Sequence, residues 1–353
     1  MDTESPPLPA EAPMAEVLAL HARLPTLDTH VDIPWPATPD PRGETVRQVD
    51  FPKMAAGGLK AVVFIAYTPQ GPRTPEGHAA AGQRAEAMLR TIRGTVPGSG
   101  NRRLVATAEA LERAHAEGAF AVLLGVENGN AMGHDLSRLA LWKGLGACYL
   151  TITHDGHNDL ADAARPKPEL GDGPALHGGL SALGRQAVGE MNRLGLMVDV
   201  SHIARTSFFH AVEASRAPVV ATHACCAALR PHPRNLDDEQ LDALRDTKGL
   251  IQVTAVPAFL RAPDADGKYR ASVADMADHV EHAVKRIGLE HVGLSSDFDG
   301  GGGVEGWRHA GETAGLTAEL VRRGFDEAAL ELLWSGNFRR VWRAAEAVAA
   351  EGG

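Results

Sequence analysis

Short apolar runs rich in β-branched residues alternate along the chain with longer stretches whose apolar residues recur every three or four positions. That alternation predicts successive βα units around a parallel sheet. Eight such runs can be read: "TLDTHVD", "LKAVVFIAY", "FAVLLGVEN", "ACYLTITH", "LMVDVSH", "PVVATHA", "GLIQVTAV" and "HVGLSSDFD". Several open just after a glycine of the kind that ends helices. Eight is the number that closes a (β/α)8 barrel, so the expected fold class is α/β, a TIM barrel. Between the runs, "SALGRQAVGEMNRLG" places Leu183, Ala187, Met191 and Leu194 on one helical face and stops at Gly195. "DDEQLDALRDTKG" and "SVADMADHVEHAVKRIG" combine an acidic start, a basic last turn and a final glycine. "DEAALELLWSGNFRRVWRAAEAVAA" predicts two C-terminal helices broken around Ser335 and Gly336. Residues 1–20 are expected to form a short N-terminal extension and residues 21–353 a single barrel domain with C-terminal helices.

The polar residues that punctuate these runs are more telling than the runs themselves. Six of the eight carry, at or near their C-terminal ends, residues able to bind metals or move protons. They are His30 and Asp32, Glu127 and Asn128, His154, Asp199 and His202, His223, and Asp297 and Asp299. Side chains at i and i+2 of a strand share a face, so His30 and Asp32 can converge on one ion. Taken singly, each of these residues reads more simply. A His-x-Asp pair is ordinarily a polar strand end, His154 or His223 a hydrogen-bonded core histidine, and Glu127 a helix cap. In a parallel barrel, however, all these ends gather at one rim, where the active sites of this architecture lie. Four histidines and several carboxylates there form an N/O donor set suited to Zn²⁺ or a similar divalent ion.

Composition narrows the function without choosing it. The 353 residues are 44% hydrophobic and 23% charged, which excludes a mainly disordered or fibrous chain. A formal net charge of -10 and the absence of a basic patch argue against a nucleic-acid partner. "MDTESPPLPAEAPMAEV" lacks the basic and apolar regions of a secretory signal, and the apolar runs fall far short of the roughly 20 residues a spanning helix needs. Neither membrane insertion nor a lipid anchor is expected. The three cysteines, Cys148, Cys225 and Cys226, suggest no disulfide framework, and a cytoplasmic setting is expected.

Several segments together resemble the membrane dipeptidase (renal dipeptidase, peptidase M19) family of metal-dependent, amidohydrolase-like enzymes. They are "THVD", "GGLKAVVFIAYTPQG", "GVENG", "YLTITHDGHNDLADA", "GLSALGRQAVGEMNRLGLMVDVSH", "APVVATHACCAALRPHPRNLDDEQL" and "HVGLSSDFDGG". The resemblance runs from "LDTHVDIP" to "WSGNFRRVWRA", nearly the whole chain, and "AYTPQGP" and "HPRNLDDEQL" look like the bacterial soluble branch. It implies two zinc ions per chain. His30, Asp32 and Glu127 would hold the first, and Glu127, His202 and His223 the second, with Glu127 and a hydroxide bridging them. It further implies that Asp297 is the acid/base, that His154 stabilises the oxyanion, and that Arg234 holds the substrate's terminal carboxylate. Asn158, beside His154, would line the substrate pocket. The implied reaction is hydrolysis of dipeptides, L-Xaa-D-Xaa among them, and a homodimer is the expected assembly.

From spacing alone Arg234 would be a solvated loop charge, and only the resemblance lifts it above that. Arg230 and Pro231 depart from the family's commoner small or acidic pair, which leaves substrate preference open at that loop. Cys225 and Cys226 match no ligand and read as packing residues. Asp199 reads either as a partner that orients His202 or as a group hydrogen-bonded inside the barrel. Tyr67 reads as a rim residue or as packing. Two rival functions stand beside dipeptide hydrolysis: the same metal centre acting on another amide, lactam or ester, and a metal-binding protein without activity. Asp297 and His154, which a mere metal holder has no use for, weigh against the second.

Overall fold

In the computed structural model, which describes residues 12–36, 39–96 and 101–351, the expected runs all become strands. In chain order the strands are β1 (Leu27–Asp32), β2 (Ala61–Tyr67), β3 (Arg102–Leu104), β4 (Phe120–Glu127), β5 (Ala147–Thr151), β6 (Met197–Asp199), β7 (Val220–Ala224), β8 (Leu250–Thr254) and β9 (Val292–Ser295). All but β3 follow one another around a parallel sheet in the order β1-β2-β4-β5-β6-β7-β8-β9. The last strand returns to the first: Asp32 N donates to Phe298 O at 2.9 Å and Asp297 N to His30 O at 3.1 Å. The result is a (β/α)8 barrel. The unexpected β3, the three residues "RRL", pairs with β4 outside the barrel path.

Parallel strands wrapped by helices are buried on both faces, which is why these runs are almost wholly apolar. Along β2 the faces separate cleanly. Val62, Phe64 and Ala66 belong to the core beneath the surrounding helices, while Ala61, Val63 and Ile65 join a second cluster. That cluster collects the N-terminal residues Leu27, Ala61, Met197, Val220 and Leu250 of five strands with Phe338, Val341, Trp342 and Ala345 of the last helix, Asn337–Glu351. The C-terminal helix thus covers one end of the barrel and leaves the other for chemistry.

The helices obey their local signals. Ser181 caps Ala182–Leu194, which ends at Gly195 in the left-handed conformation, and Asp237 with Gln240 forms a capping box on Asp238–Asp246. Val273–Ile287 carries the same device in Ser272 and Asp275. The expected break at Ser335 and Gly336 does not occur. A π-type turn over Leu332–Gly336 carries the chain from Glu327–Glu331 into the last helix. Tertiary bonds override the local preference there: Trp334 Nε1 donates to Thr317 Oγ1 at 3.0 Å, and Asn337 Nδ2 donates to Leu289 O and Val292 O. Residues 14–20, expected within the extension, lie in the helix Met14–His21, which buries Val17 and Leu20. Among the described residues no helix is long and apolar enough to cross a membrane.

Candidate metal centre

Strand register levels the functional ends at one rim. Tyr67 pairs with Glu127, Glu127 with Thr151, and Thr151 with Asp199. On β1, His30 and Asp32 face the same side, while Val31 between them bridges to Phe298. His202 follows β6 with φ +65° and Asp297 follows β9 with φ +59°. Left-handed backbone at such residues costs about 1–2 kcal/mol, and it occurs here where a side chain must be aimed. Asp297 O accepts from Gly300 N and Gly302 N, at 3.1 and 2.8 Å, which holds that turn in place.

Glu127 occupies the middle. Its Oε2 lies 3.6 Å from His30 Nε2, while its Oε1 lies 3.3 Å from His202 Nε2 and 3.4 Å from His223 Nε2. Asp32 and Asp297 group with His30 on one side, and His154 groups with Glu127 and His202 on the other. All five residues expected as metal ligands, together with Asp297 and His154, are therefore brought together.

The histidines are oriented from behind. Tyr149 donates its hydroxyl proton to Thr29 O at 2.9 Å, leaving its oxygen to accept from His30 Nδ1 at 2.9 Å. That assigns the proton to Nδ1 and turns the Nε2 lone pair toward Glu127. Gly125 makes room for the tyrosine, since a Cβ there would stand 2.8 Å from its ring. Thr222 does the same for His223: its hydroxyl donates to Asp199 Oδ2 at 2.7 Å and its oxygen takes His223 Nδ1 at 2.9 Å. Asp199 also accepts from Thr151, Ser201 N and Thr222 N. It is hydrogen-bonded inside the barrel, and through Thr222 it orients His223 rather than His202.

Crowding of buried acids sets the electrostatics. Burial and the neighbouring Glu127 charge push Asp32 up to about 7 despite His30, and burial with Asp199 pushes Glu127 up to about 8 against the pull of Arg234. Burial also drives Asp297 well above the carboxylate range. Burial holds His202 and His223 well below their ordinary value, assisted by Arg234, and pushes His154 down to about 3. Neutral imidazoles facing proton-hungry carboxylates are the donor state that a cation takes up. His30 Nε2, Asp32 Oδ1 and Glu127 Oε1 are buried and find no hydrogen-bond partner. Buried polar atoms are rarely left so. The donors fit a divalent metal centre, and their N/O chemistry fits zinc.

The centre opens into a cavity of about 290 Å³, lined on its far side by Arg165, His232, Arg234, Val256 and Phe259. Arg234 is buried, donates to His223 O at 3.3 Å, and lies with its guanidinium 5.3 Å from the Phe259 ring centroid. His154 stacks on His202, centroids 4.1 Å apart, and Tyr67 packs on its other side at 4.7 Å. Asn158 does not reach the cavity. Its Nδ2 donates to Asn128 Oδ1 and Ile152 O and its Oδ1 accepts from Leu160 N and Ala161 N, so it builds the loop that carries His154. Sequence reasoning passed over Asp155, whose Oδ1 lies 3.4 Å from His202 Nδ1, and also Arg165 and His232. Only the position of Asp155 directly after His154 signalled it.

Comparison with known proteins agrees with this geometry. The family model described as membrane dipeptidase (peptidase family M19) matches residues 14–352. Dipeptidase verJ of Clonostachys rogersoniana is 32% identical over 95% of this chain and 88% of its own. Three further curated relatives, 35 to 37% identical, match over only about half of their own length. Among solved structures, a probable dipeptidase, PvdM, from Pseudomonas aeruginosa superposes with a TM-score of 0.90 at 29% identity, covering 95% of this chain and 99% of the other. A metallopeptidase from Rhodobacter sphaeroides, liganded with a phosphinate mimic of the dipeptide L-Ala-D-Ala, gives 0.78 at 26% identity, covering 91% and 99%.

Proposed function

Because the chain belongs to the membrane dipeptidase family, peptidase family M19, we propose that it is a zinc-dependent dipeptidase releasing free amino acids from dipeptides, L-Xaa-D-Xaa among them. One observation carries the reading: Glu127 presents one oxygen to His30 and the other to His202 and His223, beside a small cavity that ends in a buried arginine. The L-Ala-D-Ala mimic bound by the Rhodobacter sphaeroides metallopeptidase supports the stereochemical part of the proposal.

His30, Asp32 and Glu127 would hold one zinc ion, and Glu127, His202 and His223 a second. When bound, zinc supplies Lewis acidity and lowers the pKa of a coordinated water toward about 7. The protein does the rest. Arg234 grips the dipeptide's terminal carboxylate through parallel N–H donors, and its burial strengthens that bond while shutting out bulk water. A cavity near the lower end of the roughly 300 Å³ typical of small-molecule pockets admits a dipeptide and excludes a folded chain. Asp297, grouped with His30 and Asp32 at the rim, takes a proton from the attacking water and hands it to the departing amine. His154 stays neutral, and its free ring nitrogen donates to the oxygen that gains charge during attack, an interaction worth roughly 3 kcal/mol.

The test combines metal analysis with a panel of L-Xaa-L-Xaa and L-Xaa-D-Xaa dipeptides on the same preparation. At least two zinc ions per chain are expected, with release of free amino acids that Asp297→Asn abolishes. A zinc-loaded protein that cleaves no dipeptide but opens another amide, lactam or ester would overturn the substrate assignment. One equivalent of metal at full activity would overturn the bridging role of Glu127.

A further inference from the structure

Away from the barrel centre, three metal-capable side chains from three separate segments converge on one point. His78 stands near the start of the helix Pro75–Thr95, His134 in the loop after β4, and Asp159 in the loop after β5. Asp159 Oδ2 lies 2.7 Å from His134 Nε2 and 3.3 Å from His78 Nε2, and the two imidazole centroids are 5.5 Å apart. An ion pair between His134 and Asp159 explains the shorter contact but not His78. The Nε2 atom of His78 is buried, aims at the same oxygen, and makes no hydrogen bond.

The backbone is shaped to bring these groups together. Gly133 has φ +57°, and a Cβ there would stand 2.7 Å from His78 Cβ, so the loop that carries His134 presses directly on His78. Asp159 is held on both sides: Asn158 before it bonds to its own loop and to Asn128 after β4, and Ser181 Oγ donates to Asp159 O at 2.6 Å. Burial, His134 and Arg138 together hold His78 below its ordinary value against the pull of Asp159, which keeps the imidazole in the neutral form that ligates metals. The cluster borders a solvent-open cavity of about 670 Å³, large enough for further ligands or waters.

We propose that His78, His134 and Asp159 form an additional divalent-cation site, separate from the rim centre and open to this cavity. Two imidazole nitrogens and one carboxylate oxygen select a borderline transition metal such as Zn²⁺, Co²⁺ or Ni²⁺ over Mg²⁺ or Ca²⁺. Donors about 2.0–2.1 Å from a tetrahedral ion stand about 3.3 Å apart, so the His78 contact is already at that spacing and the His134 contact opens by about half an ångström. An ion held there ties the start of one helix to the loops that carry Asn128 and His154. The site therefore acts as a clamp on the active-site loops rather than as a second reaction centre.

Equilibrium dialysis against Zn²⁺ tests this, with bound metal counted per chain in the wild-type protein and in His134→Ala and His78→Ala. His134 is exposed, so its replacement leaves the fold intact, and circular dichroism checks both variants. Each variant is expected to hold one equivalent less than wild type at saturation and to lose part of the Zn²⁺-dependent rise in Tm. Equal metal content in all three proteins would overturn the site and leave an ordinary His134–Asp159 ion pair. The rim centre is judged separately: His202→Ala should lose metal whichever way the His134 result falls.

Discussion

The backbone of Gly300 forms a wall of the Asp32 carboxylate: a methyl group on its Cα would meet Asp32 Oδ2 at 2.0 Å and Asp297 Oδ1 at 2.4 Å. The close approach puts the turn after β9 in contact with the proposed ligand on the first strand. Gly300→Ala must push both carboxylates aside. The atoms that give way are side-chain ends, so stability should change little. Metal affinity should fall about 10- to 100-fold, as it does when ligand orientation is disturbed. Competition with a chelator measures it, and wild-type affinity in this variant would remove the packing constraint placed on Asp32.

The two faces of Glu127 predict separable losses. His30→Ala or Asp32→Ala should remove one metal and leave the ion near His202 and His223, whereas His223→Ala should do the reverse. Glu127→Ala should weaken both. Metal content of each purified variant, taken with its circular dichroism spectrum, checks the pattern. Retention of both ions in His30→Ala would end the reading of β1 as a metal clamp.

Much of this site was legible because a parallel barrel converts sequence position into geometry. A polar residue at the C-terminal end of an apolar run has few places to go except the rim, and that reasoning found His30, Asp32, Glu127, His223 and Asp297. What supports them was not legible. Tyr149 and Thr222 sit inside apolar strands and read as ordinary core residues, since nothing in "ACYLT" or "VATHA" says that a hydroxyl faces a histidine. Asn158 misled for the opposite reason, because a polar residue near His154 looks available until its four hydrogen bonds are counted. The turn at Leu332–Gly336 stayed helical because Thr317 receives the side chain of Trp334 within it, and Leu289 and Val292 receive that of Asn337 just after it, all distant in sequence.

Tyr149→Phe isolates one of these hidden supports. The variant keeps the ring that fills the space above Gly125 and removes the oxygen that receives His30 Nδ1–H. His30 is then free to change tautomer or rotate, and affinity for the metal on its side should drop about 10- to 100-fold. Replacing Thr222 with Val should do the same to the ion near His223. If chelator competition finds Tyr149→Phe unchanged, the hydroxyl is a packing detail and His30 is oriented by the strand alone.

Asp162 makes a prediction about pH. Burial alone would raise its pKa, but backbone N–H groups of His177, Leu176 and Gly179 outweigh burial and hold it below the usual carboxylate range. A carboxylate whose folded value lies below its unfolded value of about 3.9 stabilises the protein fully above that pH. The contribution is lost as pH falls through the lower folded value. The loop between β5 and β6, which carries His154, should therefore be unaffected across the neutral range and loosen only in acid below the ordinary carboxylate pKa. Asp162→Asn keeps the shape but turns an N–H group toward one of those donors, which should cost about 1–3 kcal/mol at all pH values above that window. Thermal unfolding from neutral pH into the acid range distinguishes the two proteins: their Tm curves should run apart at neutral pH and converge in acid. Parallel curves across the whole range would mean that Asp162 does not set the loop's acid sensitivity.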